Sequence, residues 1–390
     1  MEDTFTALAS RKRQVNGVPM SLVDLGYNDA GLDDNWQNCG GYGPNNYTYH
    51  NASGYPVVAT DRFPDMLAMT TYAHSLNITV GWYHNNCECH DHCNDPMCFV
   101  GDVESLFDYG YDSVKLDGCG QEENIELWYD LLAQALINRG GKTNGGKEGI
   151  LVENCHNGGG SKNQPSPNGW CPFNYYRSST DIRPVFGSIL ANLQSVPPLV
   201  QQNLSYPGCW AYPDMLEVGV TNTQSDVPPL NHSESRAHFS AWCIVSAPLI
   251  LGLNVTDDPT VDSVWDIITN QEAIAINQDY AGNSGTLFYQ NDTLTPFAPC
   301  GWWLPNCSFP IALYFYKPLS NGDTAILLMN NAPVATTLSV NWSQVPGLQA
   351  TGTYKVRDLW LHQDMGSFSN SYTCTNIPSH DVCFLRLSTN

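Results

Sequence analysis

The sequence predicts an α/β protein. A (β/α)8 TIM barrel with its first strand missing should occupy residues 1–282, and a C-terminal antiparallel β-sandwich domain residues 283–390. Three observations carry this expectation. Short apolar runs recur along the chain, each ending in polar residues. Helical stretches lie between them, and strands alternating with helices imply parallel βα units. After AIAINQDYAG the pattern turns to short alternating strands with turn signals between them, which is the pattern of an all-β module.

In chain order the barrel strands read YNDAGLDDNW (27–36), ITVGWYHN (78–85), SVKLDGC (113–119), GILVENC (149–155), NYYRSSTDI (174–182), GCWAYPDML (208–216) and PLILGLNV (248–255). Helices are expected after Gly101, over 123–140 and over 234–247. Seven strands leave a barrel of this kind one short. The stretch from Thr4 to Leu25 reads as the first barrel helix and its exit, so the missing strand, and any signal peptide, is expected before residue 1. In the second domain IALYFYKP, TAILLMNN, TTLSVNWS, TYKVRDLW and VCFLRLS read as strands, with a turn at SNGD (320–323).

Composition narrows the function. The chain has 390 residues and is 42% hydrophobic, enough for a sizeable core. Its net charge is −22, from 16 basic and 38 acidic residues. That argues against nucleic acid or an anionic membrane as partner, since both need a basic face. Fourteen cysteines and nine Asn-x-Ser/Thr sequons, from Asn46 to Asn341, favour a disulfide-bonded glycoprotein that is secreted, lysosomal or vacuolar. The opening residues carry no signal-peptide core, and no apolar run is long enough to span a membrane.

The segment VKLDGC raises the question of function. Residues two apart on a strand share a face, so Lys115 and Asp117 point the same way while Leu116 points the other. A charged pair at the end of a buried strand is costly unless it serves a purpose. In a βα barrel, catalytic groups sit at the C-terminal ends of the strands. Those ends supply Asp33, Asp34, Tyr83, Lys115, Asp117, Glu153, His156, Arg177, Asp181 and Asp214. Paired carboxylates with aromatic residues suit glycoside cleavage, in which one carboxyl attacks or activates water and another protonates the leaving oxygen. Lys115 beside Asp117 would keep that carboxylate ionised as a nucleophile, leaving Asp181 as the acid. No phosphate-binding glycine loop and no Gly-x-Ser-x-Gly elbow competes with this reading. The cluster CECHDHCNDPMC (87–98) looks like a metal site by composition, but its spacing matches no common zinc pattern and disulfides are favoured. His84, His90 and His92 read as loop residues, and Cys300–Cys307 and Cys374–Cys383 as local disulfides. Cys39, Cys209 and Cys243 have no assignable partner.

Taken in order, GLDDNW, GWY, VKLDGC, RSSTDI, YPDML, SRAHFSAWCIVSAPLILGLNV, KPLSNGDTAILLMNN and VRDLWLHQDMGSF resemble glycoside hydrolase family 27, the α-galactosidase (melibiase) family, over nearly the whole chain. The resemblance implies a retaining exo-α-galactosidase, with an α-N-acetylgalactosaminidase or other α-glycosidase of the same family, or an inactive carbohydrate-binding relative, as alternatives. It implies Asp117 as nucleophile and Asp181 as acid/base. Asp33 and Asp34 would bind the sugar's 6- and 4-hydroxyls, and Tyr83, Lys115, Arg177 and Asp214 would line the same subsite. It implies a disulfide from Cys119 into 87–98 and another between Cys155 and Cys171. No metal or other cofactor is implied. The partner is a carbohydrate, and a homodimer is compatible with it. Three departures stand out: the family's first-strand tryptophan segment is absent, CHN replaces the family's strand-5 Cys-Glu-Trp or Cys-Ser-Trp so that His156 would read the sugar's 2-substituent, and Asn35 stands where the family has a cysteine.

Overall fold

The computed structural model describes residues 1–43, 48–85, 89, 93, 96–118, 125–143, 149–155, 165, 169–221, 227–302 and 304–389, leaving aside the side chains of 125 and 126. They form two compact units, Met1–Arg177 and Ser178–Asn390.

The first unit opens with helix α1 (Glu2–Ala9) and a hairpin of β1 (Arg13–Val15) and β2 (Val18–Met20). The helix agrees with expectation, whereas the hairpin was not foreseen. Its turn is Asn16-Gly17 with φ of 51° and 78°, the left-handed pair that suits a tight hairpin. Then β3 (Asp29–Gly31), α2 (Met66–Ser75), β4 (Thr79–His84), α3 (Pro96–Asp108), β5 (Ser113–Asp117), α4 (Ile125–Asn138), β6 (Leu151–Cys155) and β7 (Tyr175–Arg177) follow. The strands β3 to β7 run in one sheet in chain order, and the register is parallel from β3 through β7. All six residues of β4 are buried, as expected of a strand covered on both faces. Gly81 lets this strand lie close to its neighbour, since a Cβ would come within 2.7 Å of the Ser113 hydroxyl and make that side chain shift.

One face of these strands packs an aromatic core. Trp82 stacks on Tyr111 with centroids 5.0 Å apart and also meets Trp36 at 4.6 Å. His84 lies on β4 in this core, fully buried among Trp36, Trp82 and Trp128, and is not a loop residue. Burial pushes its imidazole down to about 4, so it is neutral.

The second unit contains α5 (Phe186–Leu193), α6 (Val196–Gln201), β8 (Trp210–Tyr212), α7 (His232–Ile244), α8 (Asp258–Ile268) and α9 (Gln271–Gln278). The stretch 248–255, expected as a strand, makes only one isolated parallel bridge, Leu216 to Leu251. Thereafter come β9 (Thr286–Gln290), β10 (Leu294–Phe297), β11 (Cys307–Pro310), β12 (Ala312–Pro318), β13 (Thr324–Asn330), β14 (Thr336–Asn341), β15 (Thr353–Asp358), β16 (Gln363–Ser369), β17 (Ser371–Ile377) and β18 (Val382–Thr389). Six of these form one sheet in the order β16-β15-β18-β13-β12-β9, and β14 pairs with β17 in another. Every residue of β13 is buried, because it lies at the centre of the larger sheet. On β14 the alternation of the sequence holds: Leu338 and Val340 face a core with Trp342, Tyr354 and Leu385.

Two buried carboxyl groups stand out in this unit, Asp381 in an ion pair and Glu217 protonated. Asp381 is fully buried and accepts from Arg236 Nε at 2.9 Å, from Arg236 Nη2, from Ser233 Oγ at 2.9 Å and from the Val382 amide at 2.8 Å. It ties α7 to the end of β18. Glu217 is 6% exposed, and burial, aided by the charge of Asp214, pushes its carboxyl up to about 8 from an ordinary value of 4.5.

Replacing Asp381 with Ala strands the Arg236 guanidinium and should lower unfolding stability by about 3–5 kcal/mol in a denaturant titration; a loss below about 1 kcal/mol would show that the contact is dispensable. The folded chain holds a proton on Glu217 that the unfolded chain releases near 4.5. Its contribution to stability is therefore full below that value and is lost as pH rises through about 8. The drop in melting temperature between about pH 5 and about pH 8 should shrink in Glu217→Gln, and an unchanged drop would remove Glu217 as its source.

Candidate active site

The strands of the first unit bring six of the expected residues into one connected set. Tyr83, Lys115 and Glu153 stand in one row across β4, β5 and β6, because Tyr83 is in register with Lys115 and Lys115 with Glu153. Asp117 lies two residues beyond Lys115 on the same face, in register with Cys155.

Tyr83 donates its hydroxyl hydrogen to Asp117 Oδ2 at 2.5 Å. Burial and the Asp117 charge raise the phenol well above its ordinary range, so it remains a donor. The partner expected for Asp117 was Lys115. Instead, Lys115 Nζ reaches Asp33 Oδ2 at 2.7 Å and lies 5.2 Å from the centre of the Tyr83 ring. The long lysine stem bridges from β5 to the loop after β3, while the shorter reach to the carboxylate is taken by the phenol. Burial works against the ammonium charge. Cys155, Glu153 and Asp33 oppose burial and hold Lys115 above the usual lysine range. Burial also pushes the Cys155 thiol up, so at neutral pH the two carboxylates carry that effect. On Asp33 the same pairing outweighs burial and lowers the carboxyl. Glu153 is 8% exposed and is hydrogen-bonded to Tyr175.

The adjacent aspartates Asp33 and Asp34 serve different partners. Asn35 has φ of 73°, so the chain curls just beyond them. Asp33 Oδ1 accepts from the Asp34 amide at 2.8 Å, and Asp34 Oδ1 from the Asn35 amide at 2.9 Å. Asp34 Oδ2 accepts from Asn85 Nδ2 at 3.2 Å, and the same Asn85 nitrogen donates to Tyr83 Oη at 2.7 Å. Asn85 was not singled out from the sequence. The rule that placed Lys115 with Asp117 could have found it, since it lies two residues past Tyr83.

Arg177, at the end of β7, is 3% exposed and points Nη1 at Cys155 Sγ, 3.4 Å away. Cys155 is a buried free thiol, which corrects the disulfide to Cys171 implied by the resemblance. Its sulfur faces the Arg177 guanidinium, and Cys171 is disulfide-bonded elsewhere. Cys39 pairs with Cys89, closing the loops after β3 and β4, and Cys93 pairs with Cys98. His50 lies near the latter pair, but those sulfurs are bonded to each other and His50 Nε2 is on Asp102 Oδ1 at 2.9 Å. Both expected local disulfides, Cys300–Cys307 and Cys374–Cys383, are present; Cys209 is bonded and Cys243 is free. His156, Cys87, His90, His92 and Cys119 lie outside the described residues.

In the second unit, Asp181 is exposed in the segment leading to α5. Asp214 is 5% exposed, and its carboxylate accepts from the Ile182 amide at 2.9 Å and the Met215 amide at 2.8 Å.

Residues 18–279 match the family described as alpha galactosidase A, and residues 313–387 match the alpha galactosidase C-terminal beta sandwich domain. The chain is 27% identical over 376 residues to a probable alpha-galactosidase of Dictyostelium discoideum, covering 95% of this chain and 85% of that protein. Identity is also 27% over 375 residues to the alpha-galactosidase of Cyamopsis tetragonoloba, covering 93% and 77%. Among solved structures, alpha-galactosidase I from Mortierella vinacea superposes with a TM-score of 0.74 at 23% identity, over 100% of this chain and 92% of that one. The fold is thus the expected (β/α) barrel followed by an antiparallel β-sandwich. With a family match over two thirds of its length, the chain belongs to the α-galactosidase (melibiase) family of glycoside hydrolases, family 27.

Proposed function

We propose that this chain is a retaining exo-α-galactosidase that removes terminal α-linked galactose from oligosaccharides or glycoconjugates. The observation that carries the proposal is the short hydrogen bond from Tyr83 to Asp117, set among Lys115, Asp33 and Asp34, in a chain of this family. A nucleophile must be anionic and aimed. Tyr83 supplies a donor to one oxygen of Asp117 and leaves the other free to attack.

In the proposed reaction, Asp117 forms a bond to the anomeric carbon as the glycosidic bond breaks, and Asp181 gives its proton to the departing oxygen. Asp181, now a carboxylate, then takes a proton from water. The water oxygen displaces Asp117 from the sugar, and both carboxyls return to their starting states. Asp33, Asp34, Lys115, Tyr83 and Arg177 bind the ring, and His156, at the sequence position that the resemblance assigns to the 2-substituent, completes the proposed set. The Asp33–Lys115 pair offers acceptors and donors to neighbouring hydroxyls without reorganisation. The catalytic barrel ends at residue 282, and the β-sandwich domain begins at 283. The disulfides and sequons suit an extracellular or vacuolar protein.

The test is hydrolysis of paired p-nitrophenyl sugars, the α-galactoside and the α-N-acetylgalactosaminide, with Asp117→Asn as blank. The α-galactoside should be cleaved, and Asp117→Asn should reduce the rate by about 10⁴-fold or more. Preference for the acetamido sugar would move the specificity, and failure to cleave either would overturn the proposal. Tyr83→Phe keeps the ring but removes the donor. It should lower kcat by about 10²-fold with little change in melting temperature, and a kcat within about threefold of the parent would free Asp117 from any need of Tyr83.

A further inference from the structure

Asp181 is exposed and sits in a stretch without regular secondary structure. A carboxyl there can deliver a proton to one particular oxygen only if its backbone is fixed, since small misplacements cost large factors in rate. Two buried side chains supply that fixation. Asn192, near the end of α5 and 3% exposed, uses both hydrogens of its amide. Its Nδ2 donates to the Thr180 carbonyl at 3.0 Å and to the Pro213 carbonyl at 2.9 Å. On the other side of Asp181, the Ile182 amide donates to Asp214 Oδ2 at 2.9 Å. The residues immediately before and after Asp181 are thus each held, and both anchors are tied to the segment at 213–214: Asp214 belongs to it, and Asn192 bonds the Pro213 carbonyl.

That segment is itself pinned. Asp214 has φ of 83°, a left-handed conformation that costs energy for a residue other than glycine. Its carbonyl accepts the Trp242 indole hydrogen at 2.7 Å, and its Oδ1 accepts the Met215 amide at 2.8 Å. One residue further on, the Arg183 amide donates to Ser188 Oγ at 3.0 Å, which ties the exit of the segment to α5.

We propose that Asn192 and Asp214 are positioning residues for the acid/base: together they clamp the backbone on either side of Asp181 and so set the direction of its carboxyl. Asp214, expected from the sequence to face the sugar, acts through Asp181 instead. This inference rests on the reading of Asp181 as the acid/base.

The experiment compares kcat/KM on two α-galactosides, one with a methanol leaving group and one with 2,4-dinitrophenol. The first needs protonation of the departing oxygen and the second does not. In Asn192→Ala the methyl glycoside should lose about 30-fold or more relative to the dinitrophenyl glycoside. Asp181→Asn is the reference and should show the same split at larger size, about 10²-fold or more. If Asp181→Asn loses both substrates equally, the acid/base reading itself fails. If Asp181→Asn shows the split and Asn192→Ala shows none while still cleaving the dinitrophenyl glycoside, the clamp is overturned and the acid/base reading stands. Should Asn192→Ala lose both equally through misfolding, the near-isosteric Asp214→Asn is read in the same way, and equal loss there also overturns the clamp.

Discussion

Parallel strand register is the constraint on which the site in the first unit depends. Tyr83, Lys115, Glu153 and Tyr175 form one lateral row across four neighbouring strands. What keeps that row on its side is the apolar set on the other: Trp82, Val114, Leu116 and Val152 are all buried. A slip of one residue would exchange the two sets and bury Lys115 where Trp82 stacks on Tyr111. The penalty for that exchange is large, so the hydrophobic face holds the polar face in register. Asp117 inherits its position from the same rule, two residues further along β5.

The row also decides which groups carry charge. Burial works against the charge of Lys115, and Glu153 and Asp33 outweigh it and hold the group as an ammonium. Tyr83 is pushed the other way, by burial and by Asp117, and stays a neutral donor. The result is a fixed order of donors and acceptors from Asn85 through Tyr83 to Asp117, and from Lys115 to Asp33. Fixed dipoles of this kind need no rearrangement when charge moves in a reaction. The acidic excess of the set suits a neutral polyhydroxylated ligand better than an anionic one.

Much of this was legible in the sequence because it rests on short-range rules. The strands at 79–84, 113–117 and 151–155 follow from apolar runs, and the shared face of Lys115 and Asp117 follows from alternation. Pairing across the sheet was not legible. Lys115 and Asp33 are 82 residues apart, and local spacing favoured Asp117 as the nearer partner. Cys155 misled for the same reason: the resemblance supplied a partner, but the thiol's neighbour, Arg177, comes from an adjacent strand. The hairpin at Asn16-Gly17 did carry a local signal, which the helix reading of that stretch passed over. The run at 248–255 shows the converse, since an apolar segment bounded by turns need not form a ladder.

The loop after β3 shows how a non-repetitive segment gains the precision a site needs. Asp33 meets Lys115 on β5 and Asp34 meets Asn85 just past β4, the chain turns left-handed at the next residue, Asn35, and each carboxylate also caps the amide that follows it. These contacts are exposed and are weak by themselves. The anchor is the next residue. Trp36 is fully buried, packs on Trp82 and Tyr49, and donates its indole hydrogen to the Tyr83 carbonyl at 2.8 Å. One large side chain therefore fixes the loop to the residue whose hydroxyl meets Asp117. Tyr49 repeats the device, donating to the Asn85 carbonyl at 2.7 Å, and the Cys39–Cys89 disulfide joins the same two loops. The exposed Asp33 and the half-buried Asp34 are thus held in place while remaining open to a ligand. Their geometry is set by aromatic packing behind them, which the ligand does not touch, so binding can exchange their solvent contacts without loosening their positions.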